Sequence, residues 1–227
     1  MRRLILFDVD GTLVSGGPAK DAFHAALLEV FGTAGPIEDW EFSGKTDPQI
    51  ARELLTAEGL SAATIEEGFP NLWKHYLSGM ESLLPETPLH PLPGVVELLE
   101  SLREIGGVAL GLLTGNVARG AELKLESAGL DSRFPVGAYG SDHEVRRELP
   151  RIAVQRAADR LGVDFSAGAV VVVGDTPRDV DCGQWFGART VAIATGRFDP
   201  PSLDRAGADV VLQDMSDTDR VLEILVH

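Results

Sequence analysis

A short apolar run that ends in two acids limits this chain more than any other stretch. Leu4-Ile5-Leu6-Phe7 has the length and uniform hydrophobicity of a strand buried on both faces. Asp8-Val9-Asp10-Gly11-Thr12-Leu13 follows directly. Side chains two apart in an extended segment point the same way, so Asp8 and Asp10 face one spot where the strand gives way to a turn. Two carboxylates that close are costly unless a cation lies between them or one takes a proton. A hard divalent cation such as Mg2+ is the natural companion of such oxygens. The plainer reading is a turn for which Asp and Gly only supply the local geometry.

Further along, strands alternate with helices. Residues 108–113, 136–139, 169–173, 190–194 and 209–212 read as strands. Residues 95–105, 116–128, 152–161, 177–186 and 217–225 read as helices, with Gly129, Gly162 and Gly187 as stops. Because the strands are apolar throughout, the pattern predicts an α/β fold, a doubly wound (Rossmann-like) parallel sheet covered on both faces. One long stretch breaks the alternation, with no strand pattern between Ser15 and Leu84. A helix runs from Pro18 toward Gly32 through Phe23, Ala26, Leu27, Val30 and Phe31. Asp47-Pro48 opens a second that ends at Gly59. Thr64 and Glu67 can form a capping box for a third, disturbed by Gly68 and Pro70, and Trp73, Tyr76, Leu77 and Met80 continue its face. Ser15-Gly16-Gly17-Pro18 and the proline-rich residues 85–94 bracket this insert like a pair of hinge strands. The expected organisation is a core of residues 1–15 and 89–227 carrying an all-helical unit of residues 16–88.

The 227 residues carry a formal charge of −15 and a pI of about 4.7. A nucleic-acid partner needs a basic face, so that class is not expected. An anionic substrate would need positive charge gathered locally. Hydrophobic content of 44% and charged content of 24% are those of a folded globular chain. Cys182 is the single cysteine, which rules out an intrachain disulfide and suits a reducing, cytoplasmic setting. Arg2-Arg3 before an apolar run hints at a signal peptide, but Asp8 and Asp10 interrupt the run too early. No stretch is apolar for long enough to span a bilayer, so no membrane partner is expected. Nothing in the sequence bears on oligomeric state.

In open parallel sheets, sites form outside the carboxyl ends of the strands. Besides Asp8 and Asp10, two other strand ends carry polar clusters. Thr114-Gly115-Asn116 offers a hydroxyl, a glycine that admits close approach and a helix N-terminus, together a seat for phosphate. On the plainer reading Asn116 is only an N-cap. Gly174-Asp175-Thr176-Pro177-Arg178-Asp179 places two carboxylates four residues apart across a strand end and a first helical turn. These could converge on a hard cation, or simply favour the helix dipole.

Taken together and in order, Asp-x-Asp-Gly-Thr, a helical insert, Thr-Gly-Asn, a basic residue and Gly-Asp-Thr-x-x-Asp resemble the haloacid dehalogenase-like superfamily in its phosphatase branch. The insert resembles the cap of its phosphoglycolate phosphatase-like and β-phosphoglucomutase-like members. The resemblance implies a small phosphorylated metabolite as substrate, phosphoglycolate or a sugar phosphate. It implies an aspartyl-phosphate on Asp8, with Asp10 as acid and then base. It implies Mg2+ held by Asp8, the Asp10 carbonyl, Asp175 and Asp179, and a phosphate seat of Thr114, Gly115 and Asn116. The family's further cation is usually a lysine near a proline. Lys124 sits inside a helix, so Arg146 and Arg147 are the candidates, Arg146 slightly preferred. Residues 42–47 are the expected cap loop, where Lys45 either meets the substrate's far end or is an exposed loop lysine. The rival within the fold is a phosphomutase. A dehalogenase needs no second acid at Asp10. A receiver-type phosphoacceptor would be about half this length and lack the insert. A regulatory protein with a decayed site would not be expected to keep Asp8, Asp10, Asp175 and Asp179.

Overall fold

The structure, a computed structural model, describes residues 2–227. The chain begins with β1 (Arg3–Phe7) and β2 (Val14–Gly16), followed by helices α1 (Ala19–Phe31), α2 (Asp47–Ala57) and α3 (Ala62–Leu83). It returns through β3 (Leu89–Pro91) to α4 (Val95–Glu104), β4 (Val108–Thr114), α5 (Ala118–Ser127), β5 (Val136–Tyr139) and α6 (Leu149–Leu161). The remainder is β6 (Val170–Gly174), α7 (Pro177–Phe186), β7 (Arg189–Ile193), α8 (Pro200–Arg205), β8 (Val210–Leu212) and α9 (Thr218–Val226).

Six strands form one parallel sheet in the order β5-β4-β1-β6-β7-β8. β1 is central, and the pleat divides its side chains between two cores. Ile5 and Phe7 join the layer built with α4, α9 and the insert, whereas Leu4 and Leu6 join the layer of α6 and α7. The doubly wound sheet expected from the sequence is therefore present, with helices on both faces.

β2 and β3 pair antiparallel, with Ser15 opposite His90, so the chain leaves for the insert and returns from it side by side. The sequence reads residues 15–18 and 85–94 as a pair of hinge strands; the structure pairs β2 and β3 as a two-stranded ribbon. The third helix differs from expectation. It is continuous over 22 residues, starts from Ser61 as N-cap and carries Pro70 inside it. Packing compensates for the hydrogen bond Pro70 removes, since Ile65, Phe69, Leu72, Tyr76 and Met80 are all buried. Gly68 lies against the Phe31 ring, which leaves no room for a Cβ there. The six-residue helix α8, capped by Asp199, had no expectation attached to it, because so short a segment shows no readable period. Among the described residues no helix is long and apolar enough to cross a membrane.

Candidate active site

Strand order explains why three distant motifs meet. β4 and β6 flank β1, with Phe7 level with both Leu112 and Val173. The chain that follows each strand therefore emerges at one level, bringing Asp8, Thr114 and Asp175 side by side. The Asp8 amide donates to the Val173 carbonyl (2.9 Å). Oxygens of Asp8, Asp175 and Asp179, all three residues buried, lie within 4.8 Å of one another. Two glycines leave space for them. A Cβ on Gly11 or on Gly196 would stand 2.5 or 1.7 Å from Asp175 Oδ2. Thr12 Oγ1 donates to Asp175 Oδ1 (3.2 Å).

Burial pushes the Asp8 carboxyl up to about 6; Arg146 opposes the rise, and Asp179 and Asp10 add to it. Burial, with Asp179 and Asp8 alongside, pushes Asp175 up to about 8. Such a group of acids calls for protons or a cation. Hard oxygen donors at this spacing suit Mg2+. Asp179 is the least available of the three. Its Oδ1 accepts from Arg146 Nη2 (2.5 Å), and its Oδ2 accepts from the Thr176 amide (3.0 Å) and hydroxyl (2.7 Å) in a capping box. The Asp10 carboxylate is not in this cluster.

Arg146 and Arg147 separate cleanly. Arg146, on the short 3-10 turn Arg146–Glu148, is buried, and its Nη2 reaches Asp8 Oδ1 (3.1 Å), Asp179 and the Leu113 carbonyl (3.2 Å). Its neighbouring carboxylates strengthen its hold on the proton against the effect of burial. Its Nε is buried without a partner among the described residues. Arg147 faces outward, forks onto Asp181 (2.6 and 2.5 Å) and stacks on the exposed Trp185 ring (4.8 Å). Arg147 is thus to be struck from the phosphate seat, because its guanidinium is committed to the outer face of α7.

Lys124 also reaches the site, in a place the sequence does not assign to it. It lies inside α5, yet its ammonium is buried and reaches Asp10 Oδ1 (2.8 Å), Asp10 Oδ2 (2.7 Å) and Asn116 Oδ1 (2.6 Å). Burial would raise the Asp10 carboxyl, but Lys124 and then the Asn116 amide outweigh it and hold Asp10 below its usual range. Asn116 is not the helix cap, as Val117 occupies that position. Its side-chain amide instead donates to Asp10 Oδ2 and to Thr114 Oγ1, both at 2.7 Å. The α5 N-terminus is closed by Ser141, whose Oγ accepts from the Ala118 amide (3.1 Å), and by the insert. Asp47 Oδ2 accepts from the Val117 amide (2.8 Å), while the Asp47 amide donates to the Gly115 carbonyl (2.8 Å). Burial pushes Asp47 up to about 6.

These contacts seat the insert on the strand ends. Thr46 Oγ1 donates to the Glu144 carbonyl (2.7 Å), Arg52 Nε meets the Glu144 carboxylate (2.9 and 3.0 Å), and Arg197 pairs with Glu41. Gly115 permits the approach, since a Cβ there would stand 2.0 Å from the Lys45 carbonyl oxygen. Lys45 is not an exposed loop lysine. Its side chain is 10% exposed, bound to Glu53 (2.5 Å) and over the Trp40 ring (5.4 Å). Between insert and core lies a cavity of about 450 Å3. Asp8, Asp10, Thr114, Lys124, Arg146 and Asp175 line its floor; Phe23, Phe42, Lys45, Asp47, Ile50 and Tyr76 line its roof. Asp10, half-exposed, lies on this cavity.

Sequence reasoning missed Lys124 and Asp47 as site residues. A signal existed for the first. Lys124 falls at helical spacing from Ala121 and beside Leu125, on the buried face of α5, where an unpaired ammonium would be costly. Asp47 carried no such signal, because an acid before Pro48 opens a helix for ordinary reasons.

The chain matches the sequence pattern described as haloacid dehalogenase-like hydrolase over residues 2–187. It is 31% identical to a phosphoglycolate phosphatase of Synechococcus elongatus over 215 residues, 94% of this chain and 93% of the relative. It is 26% identical to an N-acetylmuramic acid 6-phosphate phosphatase of Pseudomonas aeruginosa, covering 92% of this chain and 90% of the other. A putative β-phosphoglucomutase from Bacteroides vulgatus shares the fold, with a TM-score of 0.71 at 18% identity over 99% of this chain and 89% of that one.

Proposed function

The chain belongs to the haloacid dehalogenase-like hydrolase family, and from that premise we propose that it is a Mg2+-dependent phosphatase of small phosphomonoesters. One observation carries this reading: a buried Asp8 at the end of the central strand, grouped with Asp175 and Asp179 under Arg146, beside an Asp10 that faces the same cavity. Asp8 attacks phosphorus. An O–P bond forms to its carboxylate and the ester P–O bond breaks; Asp10, which takes up a proton as the anionic phosphate arrives beside it, gives that proton to the leaving oxygen. Water then forms a new P–O bond as the aspartyl bond breaks, and its proton returns to Asp10, releasing inorganic phosphate. Asp8, Asp175 and the Asp10 carbonyl, with Asp179 behind them, would hold the Mg2+. When bound, the cation neutralises charge on the phosphoryl oxygens. Arg146 and the Thr114–Asn116 turn hold the rest of the phosphoryl group.

Hydrolysis of a generic ester such as p-nitrophenyl phosphate is expected to require Mg2+ and to stop with chelator. Full turnover in chelator, or dependence on Zn2+ alone, refutes the reading. Product analysis separates the rival mutase, which yields an isomeric phosphate and little free phosphate.

Residues 16–88 act in this reading as a cap over the core of residues 1–15 and 89–227, opening at the ribbon to admit substrate. The roof also bears on the choice of ester. The cations at this side of the cavity are already paired, Lys45 with Glu53 and Lys20 with Glu38 within the insert, and Arg197 of the core with Glu41 of the insert. Asp47 adds a carboxylate, and Phe23, Phe42, Ile50 and Tyr76 an apolar face. This favours an uncharged hydroxylated leaving group, such as a sugar, over the carboxylated leaving group of phosphoglycolate. Lys45→Ala, removing a polar contact remote from the phosphate, is expected to lower kcat/KM for the preferred sugar phosphate roughly 10-fold or more. The effect on p-nitrophenyl phosphate is expected to stay within about 3-fold. Equal loss on both esters would place Lys45 at the phosphoryl group.

A further inference from the structure

We infer that Lys124 is a positioning residue of the reaction, an ammonium that fixes the Asp10 carboxylate at the angle from which it serves the leaving oxygen and the attacking water. The inference rests on the phosphatase reading above.

Asp10 needs such a device. Its side chain is 48% exposed and lines the cavity, so without partners on its oxygens the carboxylate would be free to turn. Lys124 supplies the confinement. Its ammonium has three N–H groups and three acceptors, the two oxygens of Asp10 and Asn116 Oδ1. Asn116 is fixed in turn, because its amide nitrogen donates to both Asp10 and Thr114. Asp10 therefore meets a rigid fork of two donors, one from α5 and one from the turn after β4.

The same count separates Lys124 from a substrate-binding residue. All its donors are in use, so nothing remains for a phosphoryl oxygen. Stability does not explain Lys124 either. It lies on the apolar face of α5 between Ala121 and Leu125, where a hydrophobic side chain would avoid the penalty of desolvating an ammonium. Its placement makes sense if the orientation of Asp10 is what it secures.

The experiment compares wild type with Lys124→Met, using p-nitrophenyl phosphate and β-glycerol phosphate with Mg2+ in excess. Thermal melts check folding. p-Nitrophenolate leaves without needing a proton, whereas the glyceryl alkoxide needs one. For Lys124→Met, kcat on the alkyl ester is expected to fall roughly 10- to 100-fold, part of what acid–base catalysis contributes, with KM within about 3-fold. On the aryl ester the initial burst of nitrophenolate should survive while steady turnover slows, because only the water step still needs Asp10. Lys124→Arg, which keeps donors on the carboxylate, should recover part of the loss. If Lys124→Met does not fold, Lys124→Gln, of similar length and uncharged, is read by the same measurements.

A raised KM with unchanged kcat would make Lys124 a binding residue and overturn the inference. So would equal losses on both esters that follow the loss in melting temperature, which mark a structural role. An active wild type with an unaltered Lys124→Met overturns the inference alone. A wild type inert toward every ester with Mg2+ overturns the phosphatase reading, and the inference with it.

Discussion

Asp8→Asn is expected to eliminate turnover, with kcat falling on the order of 10^4-fold or more. The reason lies in chemistry and not in folding. The amide is the same size as the carboxylate and fits the same pocket, but it cannot attack phosphorus. It also removes one of three buried acids whose mutual repulsion, with burial, lifts Asp8 and Asp175. The variant should therefore melt no lower than wild type in the absence of Mg2+, while losing every trace of phosphoenzyme. The check is a quench of enzyme with radiolabelled ester, followed by counting of protein-bound label. Label retained on the variant at the wild-type level would move the nucleophile to another residue.

Arg146→Ala carries the second large effect, and here stability and activity fall together. The guanidinium is buried against Asp8 (3.1 Å) and Asp179 (2.5 Å). Breaking a buried pair by removing one partner typically costs about 3–5 kcal/mol, because the other charge is left uncompensated. For a chain of this size that corresponds to roughly 6–20 °C in melting temperature. Mg2+ should restore part of the loss, since a cation among the same acids replaces some of the missing charge and binds only the folded state. Activity should fall similarly on all esters, because the role proposed for Arg146 is at the phosphoryl group they share. Scanning calorimetry with Mg2+ and with chelator decides the matter. A variant as stable as wild type in chelator would show that the acids need no partner.

Much of this was legible in the sequence where the cause is local. β1 is a run of side chains that only a two-sided core accepts, and Asp8 ends it one residue later. Thr114 likewise closes β4, and Asp175 follows β6 directly. What required the structure were choices between near-equivalents. Arg146 and Arg147 are adjacent and chemically identical, and only the position of Asp181 and Trp185 on α7 sends the second outward. Lys124 sits inside a helix, away from any strand end, and its helix also carries Arg119, Glu122 and Glu126 on an exposed side. Its distinguishing partner, Asp10, lies 114 residues away. Pro70 misled in the opposite sense, because the tertiary burial that keeps α3 whole cannot be seen in a local rule against proline.

The ribbon of β2 and β3 has a consequence for how such a molecule can change over time. The insert departs and returns through two strands paired residue for residue, Val14 with Pro91 and Gly16 with Leu89. To the sheet, everything between those strands is a detour that begins and ends in one place. A helical unit of another length or shape could be exchanged there without shifting the register of any sheet strand, provided that its two ends lie side by side. Asp8, Asp175, Asp179 and Arg146 belong wholly to the part that would stay, while Lys45, Asp47 and the aromatic roof belong to the part that would go. On the proposed reading the topology divides inheritance in two, with the bond-breaking apparatus in one unit and the choice of molecule in another that can be replaced as a block.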